Sequence, residues 1–212
     1  MNDGIYHPQS AARLKAFEDG IQRLSDAVHA AHAQLILLTP PPFDPLGAHQ
    51  LQNADAPDFS FIKPFANYDR VLGDYARWET SLPDPVASWV VDWHQPLNDY
   101  LAQQRKQHPG FGFTRDGIHP NSAGHLLMAQ LFLRAMGVPV GGDDLEAELA
   151  RINADPLFKA IRAERELRSR GWLSYVGYRR GKTVQTDSIA ATEARVAALQ
   201  AQADTLRLQA HP

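Results

Sequence analysis

Two short apolar runs alternate with long amphipathic helix patterns in the first two thirds of the chain, and this alternation limits the folds available to it. QLILLTPPP (residues 34–42) stops at three prolines, and VASWVVDW (86–93) is the second run. Both are typical of buried strands, and helix–strand alternation favours right-handed crossover units around a parallel sheet. Two strands are too few for a stable sheet of this type, so the sequence predicts an incomplete core.

Helices are predicted where apolar residues recur three and four positions apart. The pattern favours a first helix of about five turns that includes residues 14–28. Three more are predicted over residues 69–82, 95–107 and 126–136. From about residue 141 the composition shifts to Ala, Arg, Glu and Leu, which predicts helices over 144–169 and 187–209. We therefore expect an α/β domain over residues 1–141 and a helical extension over 142–212.

The last predicted helix carries an apolar seam with alternating steps of three and four residues. We expect it to pack on its own domain, but a short coiled coil that mediates oligomer formation through the C-terminal helices is the alternative. The seam consists of Ile189, Thr192, Val196, Leu199, Ala203 and Leu206.

Composition excludes several classes of function. The 212 residues carry a net charge of −3, which gives no electrostatic argument for a nucleic-acid partner. The chain contains no cysteine, so disulfides, thiolate metal sites and a cysteine nucleophile are excluded. No apolar run approaches the roughly 20 residues that span a bilayer. No signal-peptide pattern is visible, and the sequence leaves the compartment open.

The run RDGIHPNSAGH (residues 115–125) is the sharpest indication of chemistry. Asp116 and His119 are three positions apart, which on a turn lets the carboxylate orient an imidazole that acts as general base. Gly117 would permit the turn, and Asn121 or Ser122 would cap the helix that follows. A surface turn with a solvated Asp and His is the alternative interpretation of the same residues.

Taken together, MNDG at the start, then LLTPPP, then DGIHPNSAGH resemble the SGNH (GDSL-type) hydrolases, a family of ester hydrolases. The resemblance covers about residues 2–137 and implies a three-layer α/β/α, flavodoxin-like parallel sheet. It also implies that Asn2 donates to the oxyanion, Asp116 is the orienting acid and His119 is the base. A small ester, with an acetylated carbohydrate among the candidates, would be the substrate. The family needs no metal or organic cofactor.

The chain departs from the family in one respect that bears on activity. The Gly-Asp-Ser block that supplies the family's nucleophile and the block with its oxyanion glycine are both unmatched, so no serine is assigned as nucleophile. We therefore expect an N-terminally truncated hydrolase, inactive alone, that starts at an internal Met. The serines are Ser10, Ser25, Ser60, Ser81, Ser88, Ser122, Ser169, Ser174 and Ser188.

Other hypotheses come from the remaining polar and aromatic residues. A metal site built from His7, Asp116, His119 and His125 is chemically conceivable, although we expect none. The four tryptophans are expected to be buried mainly, with stacking on sugars as the alternative. The long segment 40–68, rich in Pro and aromatic residues, either walls a substrate cleft or packs on itself. A non-catalytic interaction or carbohydrate-binding protein is the alternative function.

Overall fold

The computed structural model describes residues 4–84, 86–142, 144–180, 182–183 and 186–210. The chain divides into two compact units, Met1–Leu145 and Glu146–Pro212. The assignment of residues 1–141 to a hydrolase-like domain and of 142–212 to an extension stays a prediction. The elements of the first unit are α1 (Ala11–Ala30), β1 (Ile36–Leu38), α2 (Tyr68–Thr80), β2 (Trp89–Val91), α3 (His94–Arg105) and α4 (Ser122–Ala135).

Two helices of the first unit, α1 and α4, begin at polar side chains that cap them. The hydroxyl of Ser10 accepts from Arg13 N at the start of α1, and the side chain of Asn121 accepts from Gly124 N at the start of α4. Such caps satisfy amide groups that have no partner inside the helix. Of the two predicted caps for α4, Asn121 is therefore the one used.

The two strands form a parallel pair, as predicted. Ile36 lies opposite Trp89 and Leu38 opposite Val91, and both strands are shorter than their apolar runs. The described residues thus form an α/β unit with a two-stranded parallel sheet, and they do not form the predicted three-layer α/β/α sheet. Because a two-stranded sheet covers little area, apolar side chains stay partly uncovered, among them Leu24 on α1 and Leu38 on β1.

Much of the buried apolar core of the first unit is formed by helices and loops, and a smaller part covers the sheet. One buried cluster contains Phe43, Tyr68, Leu72 and Tyr75, on which Phe17 of α1 packs. A second cluster joins α3 to α4, and a third covers the inner face of β1. Each buried side chain of this size contributes about 1.5–3 kcal/mol, so these clusters position the loops that follow the strands.

The elements of the second unit differ from the prediction at two points. The predicted helix over 144–169 is broken at Asp155, whose carboxylate caps a new helix with Pro156 in its first turn. That helix continues to Tyr175, so part of the segment predicted to separate the last two helices is helical. The elements are α5 (Leu145–Ala154), α6 (Pro156–Tyr175), β3 (Arg179–Arg180), β4 (Lys182–Thr183) and α7 (Ile189–Ala210).

Helices α6 and α7 pack against each other as an antiparallel hairpin. Gly171, near the end of α6, lies against Thr192 at the start of α7. Thr192, Val196 and Ala203 of the predicted seam are buried. The seam was therefore predicted correctly and is covered by α6 within the same unit. Among the described helices, none is long and apolar enough to cross a membrane.

The expectation of buried tryptophans is wrong for two of the four. Trp89 is 44% exposed and Trp172 is 46% exposed, whereas Trp78 and Trp93 are half-buried. Trp93 also donates its indole N–H to Met128 O, which ties the end of β2 to α4.

Gly171→Ala is expected to destabilise the α6–α7 hairpin. An added Cβ would lie 2.5 Å from Cγ2 of Thr192, so the helices must separate. We expect a loss of about 1–3 kcal/mol in the free energy of unfolding, measured by urea denaturation. Thr192→Ala in the same chain removes Cγ2 and should recover part of this loss.

Gly20→Ala in α1 is the matched control, because its nearest neighbour would be the end of Arg23 at 4.0 Å. Higher helix propensity should make that variant as stable as the parent or more so. Equal effects of the two substitutions would show that close helix packing at Gly171 is unimportant.

Candidate active site

The segment that carries Asp116 and His119 is held by a close backbone approach to the loop after β1. Asp44 N donates to Gly117 O at 2.9 Å. Gly117 has φ +83°, and a Cβ there would lie 2.6 Å from Asp44 O. A Cβ on Gly47 would likewise lie 2.7 Å from Gly117 N. Only glycine fits at both positions, so the two loops contact each other through backbone atoms.

Within this turn the predicted carboxylate–imidazole pair is formed. Asp116 Oδ2 lies 2.6 Å from His119 Nδ1, and Asp116 Oδ1 accepts from Ile118 N and His119 N at 3.0 and 2.8 Å. An imidazole that donates from Nδ1 keeps an accepting lone pair on Nε2. The side chain of His119 is 71% exposed and that of Asp116 is 31% exposed, so Nε2 is open to a reactant.

The three hydrogen bonds also determine the charge on the acid. Partial burial acts to raise the pKa of Asp116, but the bonds from His119 and Ile118 outweigh it and lower the pKa to about 2. The carboxylate is therefore ionised at neutral pH. An ionised Asp beside an imidazole orients the ring and stabilises the imidazolium that forms when it takes a proton.

The residues near the start of the described chain lie close to the pair. Burial and the negative charge of Asp116 raise the pKa of Tyr6. Phe65 N donates to Tyr6 O, and Gly4 packs so tightly on Tyr68 that an added Cβ would lie 2.9 Å from its ring. The predicted oxyanion residue Asn2 lies outside the described residues, so its role stays a prediction.

The two other histidines considered for a metal site are elsewhere engaged or exposed. His7 packs on the ring of Phe59 with centroids 4.7 Å apart, and burial lowers its pKa. His125 is exposed in the first turn of α4. Within the described ranges, no group of three or more His, Asp or Glu side chains is arranged to hold a metal ion.

The segment 40–68 packs largely on its own aromatic residues and on the core. Phe43 is buried, and the rings of Phe59 and Phe65 contact edge to face. Phe61 and Ile62, in contrast, are 47% and 57% exposed. The segment therefore packs in part on itself, as one of the two alternatives predicted, and its role as the wall of a substrate cleft stays a prediction.

Sequence patterns did not reveal a polar cleft that shares Asp44 with the backbone contact to the turn, although neither Asp116 nor His119 lines it. It has a volume of about 430 Å³ and is lined by Asp44, Asp69, Arg70, Asn98 and Arg105, among others. Asp44 is buried and accepts from Arg105 Nη2 at 2.7 Å, while Arg105 Nε donates to Phe111 O. The pair joins the loop after β1 to α3, across 61 positions of sequence. No local motif marks such a contact.

A second polar group at the cleft braces α2 against α3. Asp69 accepts from Phe43 N at 2.8 Å and from Asn98 Nδ2 at 3.0 Å, and it lies 3.7 Å from His94 Nε2. Burial raises the pKa of Asp69, although His94 and the two hydrogen bonds oppose this shift. Each oxygen of Asp69 has a protein partner, so the group stabilises the loop that contacts Gly117.

Comparison with known proteins adds one structural likeness. No protein-family model matches the sequence, and no curated protein sequence matches it. A solved structure, a gut microbial diltiazem-metabolizing enzyme, is similar with a TM-score of 0.44 and 22% identity. The similarity covers 59% of this chain and 26% of that chain, so this chain spans about a quarter of the length of that enzyme.

Gly117→Ala should distort the turn that holds the pair. The new Cβ would meet Asp44 O, and the residue would have to adopt a positive φ. We expect a loss of about 2–4 kcal/mol in the free energy of unfolding, since strain and steric conflict add. Gly137→Ala is the control, because Gly137 has φ +73° but no atom within 4 Å of an added Cβ. A similar loss in both variants would contradict the steric part of this explanation.

Carboxyl-detected NMR titration should give a pKa of about 2 for Asp116. In His119→Ala the pKa should rise, because the imidazole no longer bonds to the carboxylate. Since folding lowers this pKa from 3.8, ionised Asp116 stabilises the fold above pH 3.8, and the contribution is lost as the pH falls through about 2. Asp116→Asn should remove that part of the acid dependence of stability. An unchanged pKa in His119→Ala would contradict the pairing.

Proposed function

We propose that this chain carries the acid–base half of a carboxylic ester hydrolase of the SGNH (GDSL-type) family. The observation that carries the proposal is the 2.6 Å contact between Asp116 and Nδ1 of an imidazole that is 71% exposed. An oriented imidazole with an open Nε2 is suited to take a proton from a hydroxyl nucleophile. The turn also contacts the loop at the carboxyl end of β1 through the bond from Asp44 N to Gly117 O, and open α/β sheets place their ligands at that end of the strands.

The proposed reaction is acyl transfer to water through a covalent intermediate. A serine hydroxyl attacks the ester carbonyl while His119 Nε2 takes its proton. The same imidazolium then returns the proton to the departing alcohol oxygen as the C–O bond breaks. In the second half, water attacks the acyl carbon while His119 takes its proton, and His119 then returns that proton to the serine oxygen as the acyl–serine C–O bond breaks, which frees the carboxylic acid. Asp116 stays ionised throughout the reaction, because a carboxylate with a pKa of about 2 does not take up the proton that passes through the imidazole.

The proposal also assigns the nucleophile and one donor of the oxyanion site. None of the nine serines of this sequence follows Gly-Asp, so we assign the nucleophile to a segment outside this sequence. Asn2 is proposed as an oxyanion donor, a role worth about 3 kcal/mol for each donor. Its support is the match of MNDG, residues 1–4, to the family's oxyanion block.

The substrate is proposed to be a small ester, with acetylated carbohydrates among the candidates. The cleft lined by Asp44 is proposed to take a polar alcohol portion, since Asn98 and the two arginines at its wall can bond to hydroxyl groups. Asp44 connects the cleft to the turn directly through its bond to Gly117 O.

The chain by itself is expected to hydrolyse p-nitrophenyl acetate only slowly, at the rate of an exposed imidazole. His119→Ala should lower this rate more than the loss of another exposed histidine does, because Asp116 stabilises the imidazolium of His119, and a serine-directed phosphonate should leave the rate unchanged. His125→Ala is the matched control, because His125 is exposed on α4 and bonds to no carboxylate among the described residues. Inhibition by the phosphonate would show that a serine of this chain is the nucleophile.

Fusion of a segment with the two missing family blocks ahead of residue 1 should restore turnover. Asp116→Asn in the fusion should lower kcat on the order of 10⁴-fold, because the ring loses its orienting charge and tautomer. Turnover that survives His119→Ala would contradict the assignment of the base. A fusion that folds and binds carbohydrate without turnover would favour the non-catalytic alternative.

A further inference from the structure

The end of the α6–α7 hairpin carries a concentration of exposed aromatic and basic side chains that the proposed hydrolase chemistry does not use. We name residues 170–179 the hairpin tip. Tyr175 is 69% exposed and Val176 is 66% exposed. Trp172 and Tyr178 are also exposed, as are the flanking Arg170 and Arg179. Four large apolar or aromatic side chains thus point to solvent within seven positions.

Charge is distributed unevenly in the same region. Residues 167–186 contain five basic residues and no acidic one, a formal charge of +5, in a chain whose total is −3. Arg168 pairs with Glu164 and Glu193, but neither Arg170 nor Arg179 has an ion pair among the described residues. The tip is therefore a local cation on an otherwise anionic chain.

The backbone presents the tip side chains in a defined geometry. α6 ends at Tyr175, Gly177 beyond it has φ +65°, and Tyr178 N donates back to Leu173 O at 2.9 Å. This Schellman-type ending places Val176 and Tyr178 on a closed turn. The rings of Trp172 and Tyr175 contact edge to face at 5.5 Å. Because the side chains are positioned before any partner arrives, less conformational entropy is lost on binding.

We propose that the hairpin tip binds the surface of an anionic lipid bilayer. Trp and Tyr favour the boundary between headgroups and acyl chains, because their rings are apolar and their N–H and O–H groups are polar. Arg170 and Arg179 flank these rings at the level where anionic headgroups lie. Basic residues close to such a surface each strengthen binding by about fivefold. The tip would lie on the membrane without crossing it.

Two observations favour a bilayer over a single-stranded nucleic acid. Val176 is exposed and aliphatic, so it suits acyl chains and offers no surface on which a base can stack. The rings of Trp172 and Tyr175 contact each other nearly at right angles, 85° between their planes, which leaves no pair of parallel faces for consecutive bases.

The test uses the full chain in a vesicle sedimentation assay. The chain should bind vesicles of phosphatidylcholine with about one-third phosphatidylserine, bind pure phosphatidylcholine weakly, and lose binding as salt rises. Arg170→Gln with Arg179→Gln should reduce the partition roughly 25-fold. Arg23→Gln with Lys106→Gln, two exposed cations of the first unit, is the matched control and should leave the partition unchanged.

A second measurement separates insertion from charge attraction alone. Lipids brominated on the acyl chains should quench tryptophan fluorescence in the parent chain, and Trp172→Phe should lose most of this quenching while it still binds. Tyr175→Ser with Val176→Ser should weaken binding at least several-fold, whereas Leu208→Ser, which is exposed on α7, should not. Circular dichroism checks that each variant is folded.

The proposal is overturned if the chain binds neither vesicle type, if it binds both equally, or if the tip and control variants behave alike. It is also overturned if a single-stranded oligonucleotide binds through the same arginines and the anionic vesicles do not. Esterase activity is not measured in any of these assays, so the result is independent of the proposed catalytic function.

Discussion

The backbone contact between Gly117 and the loop at Asp44 is the constraint on which the candidate site depends. It aligns two segments more than 70 positions apart, and it requires that Gly47 and Gly117 lack side chains. The turn could hold Asp116 against His119 by itself, and this contact joins the turn to Asp44, which lines the cleft. Asp44 stabilises the contact, because its buried carboxylate forms an ion pair with Arg105.

A sheet of only two strands explains why polar contacts have such importance in the first unit. A larger parallel sheet would hold its loops by covering both faces with helices. Here the loops after β1 and β2 are joined instead by hydrogen bonds: Thr39 donates to Asp92 and accepts from Trp93 N and His94 N. Such buried bonds each add about 1 kcal/mol, but losing one partner leaves the other unsatisfied at greater cost.

Features set by neighbours in sequence were predictable, and features set by distant contacts were not. The Asp116–His119 pair, the caps by Ser10 and Asn121 and the seam of α7 depend on spacings of three or four residues, which a sequence displays directly. The Asp44–Arg105 pair and the Asp69–His94–Asn98 group join residues from different elements, so no local pattern marks them. The break at Asp155 is also a local feature, because an Asp cap followed by Pro in the first turn is a common start of a helix.

The net charge of the whole chain likewise does not reveal the local positive charge near the hairpin tip. A net charge of −3 describes the field far from the molecule, but screening reduces interactions beyond about 8–10 Å, so a partner in contact responds to local charge. Residues 167–186 carry +5, which leaves −8 on the remaining residues. An anionic surface would therefore repel most of this chain and attract one end of one hairpin. That difference favours an orientation in which the tip faces the surface over non-specific adsorption, because the tip combines positive charge with exposed aromatic rings.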